Sequence, residues 1–180
     1  MRGKKLLACV LAASILLSVS APAFGADVSE YSDIPHDWAQ QGIEHAIENG
    51  LLTGYGGKIM PGETLTRAQM AAIVGRAFGA ETMADVSSYA DVPAGAWYRD
   101  DIARAVGMGV MSGTGVNMEP ERAITRQEAF VVLANALHLE GDGASLGRFA
   151  DGDQVADWAR SGVDALVAAG YVNGAGGRLN

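Results

Sequence analysis

A chain of 180 residues that is 49% hydrophobic, with 24 Gly and 5 Pro but no Gly-x-y period, has room for one globular domain or an array of small units and is neither collagen nor a disordered tail. Its formal charge of −8, from 13 Lys+Arg against 21 Asp+Glu, excludes nucleic acid as the main partner, because phosphate backbones are held by a surplus of cations.

Residues 1–25 read as an export signal. Arg2, Lys4 and Lys5 form a positive n-region, Leu6 to Val19 is an apolar run too short to span a bilayer comfortably, and Ala21-Pro22-Ala23 and Ala23-Phe24-Gly25 both place small side chains where a signal peptidase reads them. Cys9 precedes most of the apolar run, which argues against a lipoprotein box. Without its three basic residues the mature chain carries 10 Lys+Arg against 21 Asp+Glu, a formal charge of −11, and no cysteine. Disulfides, cysteine nucleophiles and thiolate metal sites are thereby excluded. No second apolar stretch reaches membrane-spanning length.

The mature chain repeats itself. Tyr31-Ser32-Asp33-Ile34, Tyr89-Ala90-Asp91-Val92 and Phe149-Ala150-Asp151 open three segments, and each is followed by a tryptophan: Trp38, Trp97 and Trp158. The register continues through Ile43, Ile102 and Val163, then Gly50, Gly109 and Gly170, then Gly54, Gly113 and Gly174. The repeats divide the chain into 26–84, 85–144 and an incomplete 145–180.

Each repeat predicts helix, loop, helix. In the first, Asp37 and Gln40 suit a capping box, Ala39, Ile43, Ala46 and Ile47 make an apolar stripe at helical spacing, and Gly50 suits a left-handed C′ residue. After a glycine-rich loop and Pro61-Gly62, Thr66-Arg67-Ala68-Gln69 forms an S/T-x-x-E/Q box, matched by Thr125-Arg126-Gln127-Glu128 in the second repeat. The stripe Met70, Ile73, Val74, Ala77, Phe78 returns as Ala129, Val132, Leu133, Ala136, Leu137. One such hairpin has too little core to stand alone, so the repeats are expected to bury their stripes against each other. The third repeat matches only as far as Asn180, so its second helix is expected to lie in a longer chain, where further domains, including a catalytic one, can follow.

Aromatic-x-Asp, Trp, Gly-x-x-x-Gly, Pro and Thr-Arg-x-Glu/Gln, recurring in tandem over residues 31–180, resemble the S-layer homology domain. The resemblance implies an all-α fold of tandem helix-loop-helix repeats packed as a pseudo-threefold bundle. It also implies non-covalent anchoring of an exported protein at the cell wall or S-layer, through secondary cell-wall polysaccharide attached to peptidoglycan and often pyruvylated. In a diderm host the same domain tethers the outer membrane from its periplasmic side. The family's Thr-Arg-Ala-Glu stands here as Thr-Arg-Ala-Gln and Thr-Arg-Gln-Glu, and the third copy is not in the chain.

Arg67 and Arg126 occupy the first helical position after a threonine cap, where free amides and the helix dipole favour an anion and a guanidinium adds a carboxylate fork. The alternative is that they pair with Asp33, Asp91 or a neighbouring Glu and fix repeat packing. Trp38 and Trp97, with Trp158, either anchor the core at a helix start or stack on a sugar. Asp33 and Asp91 either bond backbone amides in a turn or meet ligand, and the Gly54 and Gly113 loops are candidates to bring amides close to it. Asp142, Asp151 and Asp153 miss the spacing of a calcium loop, and His36, His45 and His138 are expected at the surface. No metal or cofactor is expected. Paired catalytic carboxylates and a Gly-x-Ser-x-Gly elbow are both missing from the sequence, which argues against an enzyme; a protein–protein adaptor is the other alternative.

Overall fold

The computed structural model describes residues 25–179, so the expected export signal lies, apart from Gly25, outside the described residues. They form five α-helices and no β-strand: α1 (Gln40–Glu48), α2 (Arg67–Ala77), α3 (Arg99–Gly107), α4 (Arg126–Ala136) and α5 (Asp157–Ala168), with 3-10 turns at Val28–Glu30, Ala144–Arg148 and Gly152–Gln154. The fold is all-α, as the repeat pattern predicts. None of these helices is long and apolar enough to cross a membrane.

The three helices that open the repeats end alike. Gly50, Gly109 and Gly170 adopt φ of 68°, 70° and 80°, and their amides bond Ile47, Val106 and Val167. The next amides, of Leu51, Val110 and Tyr171, reach back to Ala46, Ala105 and Leu166. This is the Schellman pattern, in which a left-handed glycine lets the chain turn and satisfies the last carbonyls. Both Thr boxes form in full, with Thr66 accepting from Gln69 N and Thr125 from Glu128 N. The box expected at Asp37–Gln40 does not form. Helix α1 starts two residues later than that box requires, Asp37 caps Ala39 N in a local turn, and Gln40 bonds Glu44 instead.

Among the described residues the α-helices pair between repeats rather than within them. Helix α2 of the first repeat lies on α3 of the second, and α4 of the second lies on α5 of the third. The first pair buries Met70, Val74, Ile102 and Met118, and the second buries Ala134, Val163, Leu166 and Val167. Close approach relies on small residues: a Cβ on Gly162 of α5 would stand 3.2 Å from Val131 Cα and 3.3 Å from Ala134 Cβ. Among the described residues α1 pairs with none of the other α-helices.

The aromatic-x-Asp openings are clamps. Asp33 accepts the amides of Ile59 and Met60 at 2.8 Å each, Asp91 those of Met118 and Glu119 at 2.8 and 2.7 Å, and Asp151 that of Leu179 at 2.8 Å. The second amide in the first two clamps belongs to a left-handed non-glycine residue, Met60 at φ 58° and Glu119 at φ 52°. Carboxylate acceptance holds these backbones in a region that costs a side-chain-bearing residue energy. Its backbone bonds, led by that from Ile59, hold the Asp33 carboxyl below the usual range. Asp91→Ala is expected to lower stability by about 2 kcal/mol, because two amides and a left-handed turn lose their acceptor. Asp91→Asn keeps one acceptor and should cost about half as much; urea melts of both variants measure the difference.

Candidate binding site at the repeat seams

Arg67 sits at the seam between repeats 1 and 2 and is 6% exposed. Its Nε donates to the Met118 carbonyl at 2.8 Å, one Nη to the Ser112 carbonyl at 2.7 Å, and the other to Glu128 Oε1 at 3.3 Å. The backbone beside it is also occupied: Arg67 N bonds the Arg122 carbonyl, Ala68 N the Pro120 carbonyl, and Ile124 N the Leu65 carbonyl. The α2 N-terminus, where the sequence suggests an anion, is thus filled by carbonyl oxygens of the second repeat. Met118 joins the two motifs, its N–H held by Asp91 and its C=O by Arg67.

Arg126 repeats this with fewer partners. Its Nε donates to the Leu179 carbonyl at 2.8 Å, the counterpart of Met118, and Leu179 N is held by Asp151. Its guanidinium lies over the Phe130 ring, 4.8 Å from the centroid, as in cation–π stacking. Among the described residues its two Nη groups have no protein acceptor, and the residue is exposed. A cavity of about 130 Å3 opens beside it, lined by Gln127, Asp151, Gln154 and Leu179 among others. Neither arginine contacts Asp33 or Asp91 directly.

A second arginine at the first seam is not signalled by the repeat pattern. Arg122 grips Glu128 with both Nη groups, at 2.6 and 3.0 Å, and Glu119 with Nε at 2.7 Å. Its counterpart in repeat 1 is Glu63, and that break in the repeat is the signal for a local charge network. Side-chain bonds from Arg122 are the main reason the Glu128 carboxyl is lowered from 4.5 to about 2, helped by the backbone and hydroxyl of Thr125. A carboxyl depressed on folding stabilises fully above its unfolded value of 4.5, and the contribution is lost as pH falls through about 2. Glu128→Gln should therefore be less stable than the parent near neutrality, with the two converging between pH 4.5 and 2 in thermal melts.

The tryptophans are not core anchors. Trp38, Trp97 and Trp158 are 94%, 65% and 61% exposed. They flank the helix starts off the apolar stripe, and in repeat 2 the buried aromatic is the next residue, Tyr98, which bonds the Asp91 carbonyl. Trp97 and Gly54 line one cavity of about 870 Å3, whereas Trp38 lines neither this cavity nor that at Arg126. Gly54 and Gly113 are demanded by packing: a Cβ on Gly54 would overlap the Lys58 carbonyl and stand 2.8 Å from the Tyr31 ring, and one on Gly113 would meet the Asn117 carbonyl and, at 2.6 Å, the Tyr89 ring. His36, His45 and His138 are exposed. Asp142 caps Ala144 N, and among the described residues no group of three potential ligands is placed to hold a metal.

The family model of the S-layer homology domain matches residues 30–71, 88–130 and 148–180, well over half of the chain. The chain belongs to the S-layer homology family. It is 33% identical over 99% of its length to the Surface-layer 125 kDa protein of Lysinibacillus sphaericus, and 30% identical over 96% to the S-layer protein sap of Bacillus anthracis. It is also 31% identical over 80% of its length to an amylopullulanase of Thermoanaerobacterium thermosulfurigenes. The chain spans 15%, 22% and 8% of those relatives. The similarity to the enzyme is thus confined to a small S-layer homology portion of it. This S-layer homology chain is that of an exported, cell-surface protein.

Proposed function

We propose that the chain is a non-enzymatic anchor that fastens an exported protein to the cell envelope by binding secondary cell-wall polysaccharide, an anionic and pyruvylated glycan, in the grooves between repeats. Arg126 is the observation that carries this reading. Its two Nη groups, without a protein acceptor among the described residues, stand beside a cavity and form the fork that a ketal carboxylate would fill. On a mature chain of formal charge −11 an anionic glycan is repelled at long range, so contact depends on such local cations. The exposed rings of Trp38 and Trp97 are the surfaces for sugar stacking. Arg67, Asp33, Asp91, Gly54 and Gly113 act on the glycan indirectly, by fixing the seams and loops that shape the grooves.

The test is a pull-down of the mature chain with purified sacculi, before and after acid removal of the polysaccharide. Retention that disappears with the polysaccharide is the expected result. Equal retention on stripped sacculi, or none by a folded chain, overturns the reading.

A further inference from the structure

Two asparagines precede glycine, in Asn49-Gly50 and Asn173-Gly174. In such a pair the side-chain amide carbon lies within ring-closing reach of the next backbone nitrogen, and glycine presents that nitrogen without a Cβ in the way. The counterparts of Asn173 are Thr53 and Ser112, whose hydroxyls offer no carbon for attack, so at this loop position the third repeat differs from the other two. Both pairs have an exposed asparagine, and hydrogen bonding is what separates them. Asn49 caps α1: its Nδ2 donates to the His45 carbonyl at 2.7 Å and Gly50 N to the Ile47 carbonyl at 2.8 Å, so attacking nitrogen and leaving group are both tied to the helix end. Asn173 lies beyond the end of α5. Its Nδ2 reaches the Gly170 carbonyl only at 3.4 Å, and among the described residues the Gly174 amide has no protein acceptor. The chain on either side is tightly seated. Val172 is 6% exposed in the second core, and a Cβ on Gly174, at φ 66°, would overlap the Arg178 carbonyl and stand 2.8 Å from the Phe149 ring. The loop then returns to Leu179, whose N–H is held by Asp151 and whose C=O is held by Arg126.

We propose that Asn173-Gly174 is a self-modification site, at which the chain converts its own amide to aspartate and isoaspartate and so loosens the seam between repeats 2 and 3. The Gly174 nitrogen gives its proton to water and bonds to Asn173 Cγ, and the Cγ–Nδ2 bond breaks to release ammonia. Water then opens the resulting succinimide ring. Attack at Cγ restores the chain and leaves aspartate, whereas attack at the Asn173 backbone carbonyl leaves isoaspartate, with the chain routed through Cβ and Cγ. Water is consumed and ammonia released, and no oxidant, metal or second protein takes part. Isoaspartate places an extra backbone atom between Val172 and Gly174, neither of which moves without leaving its packing. The strain passes along the loop to Leu179, the residue through which Asp151 and Arg126 join the two repeats.

The mature chain is incubated in neutral buffer at physiological temperature, and samples are taken over time for tryptic mapping, isoaspartyl methyltransferase labelling and thermal melts. Cleavage at Lys58 and Arg178 puts Asn49 and Asn173 on separate fragments, so one digest reads both. Asn173 should convert at least about tenfold faster than Asn49, because reaction at Asn49 must first break the bonds of a helix end. The isoaspartyl form, separated by ion exchange, should melt at least about 3 °C below the fresh protein. Asn173→Asp supplies the charge without the extra backbone atom and should melt within about 2 °C of the parent. Asn173→Ser, the residue of repeat 2, should fold normally and show neither the label on that fragment nor the drift in melting temperature. A free peptide of residues 171–178 serves as the clock for the unhindered reaction. Asn173 still intact in the folded chain when that peptide has converted fully overturns the proposal, as does conversion of Asn49 at an equal or greater rate. An isoaspartyl form that melts with the fresh protein overturns the effect on the seam. No glycan is present in these assays, so their outcome is independent of wall binding.

Discussion

Replacing Arg67 by alanine is expected to lower stability by about 3 kcal/mol, or roughly 6–12 °C in melting temperature for a chain of this size. The side chain is 6% exposed and spends all three of its nitrogen groups on repeat 2. Truncation leaves the Met118 and Ser112 carbonyls without their donor, and water has poor access to Met118, which is fully buried. Glu128 is less affected because Arg122 still holds both its oxygens. Arg67→Lys should recover less than half of the loss, since one ammonium cannot reach two carbonyls and a carboxylate in the fork geometry of a guanidinium. Thermal melts of the three proteins decide the matter. A melting temperature unchanged in Arg67→Ala would show that this seam contributes little and would free Arg67 for a ligand.

Arg126→Ala is expected to do the opposite. Its one side-chain hydrogen bond among the described residues, to the Leu179 carbonyl, is worth about 1 kcal/mol, so the melting temperature should fall by no more than about 4 °C. Retention on polysaccharide-bearing sacculi should fall at least about tenfold, because a bidentate, charge-assisted pair to a carboxylate is lost. Arg126→Lys keeps the charge without the fork and should bind weakly. A binding isotherm and a melting curve from one preparation separate the two effects. Undiminished binding by a folded Arg126→Ala protein would remove this residue from the glycan contact.

Much of this architecture was legible in the residues. The Thr-Arg boxes, the left-handed glycines after the opening helices and the need for repeats to cover one another all follow from local spacing, and local spacing is what a sequence displays. The unlike fates of Arg67 and Arg126 were not legible. Both occupy the same motif position, and what distinguishes them is whether carbonyls some fifty residues further on complete the coordination. The tryptophans misled for a related reason. A bulky aromatic at a helix start suits a core, yet each lies just outside the apolar stripe, and Tyr98 takes the buried place in repeat 2. Arg122 escaped because repeat matching looks for sameness and this residue matters where the repeats differ.

The helix pairings put heredity and folding out of phase. Sequence duplication runs from one aromatic-x-Asp to the next, yet the compact unit runs from the second helix of one repeat to the first helix of the next, as in α2 with α3 and α4 with α5. A cassette exchanged at the duplication boundaries separates partners that bury each other's stripes. One exchanged within the loops, between Gly54 and Pro61 or between Gly113 and Pro120, carries each pair intact. Exchange within the loops therefore preserves the helix pairs, which exchange at the duplication boundaries does not.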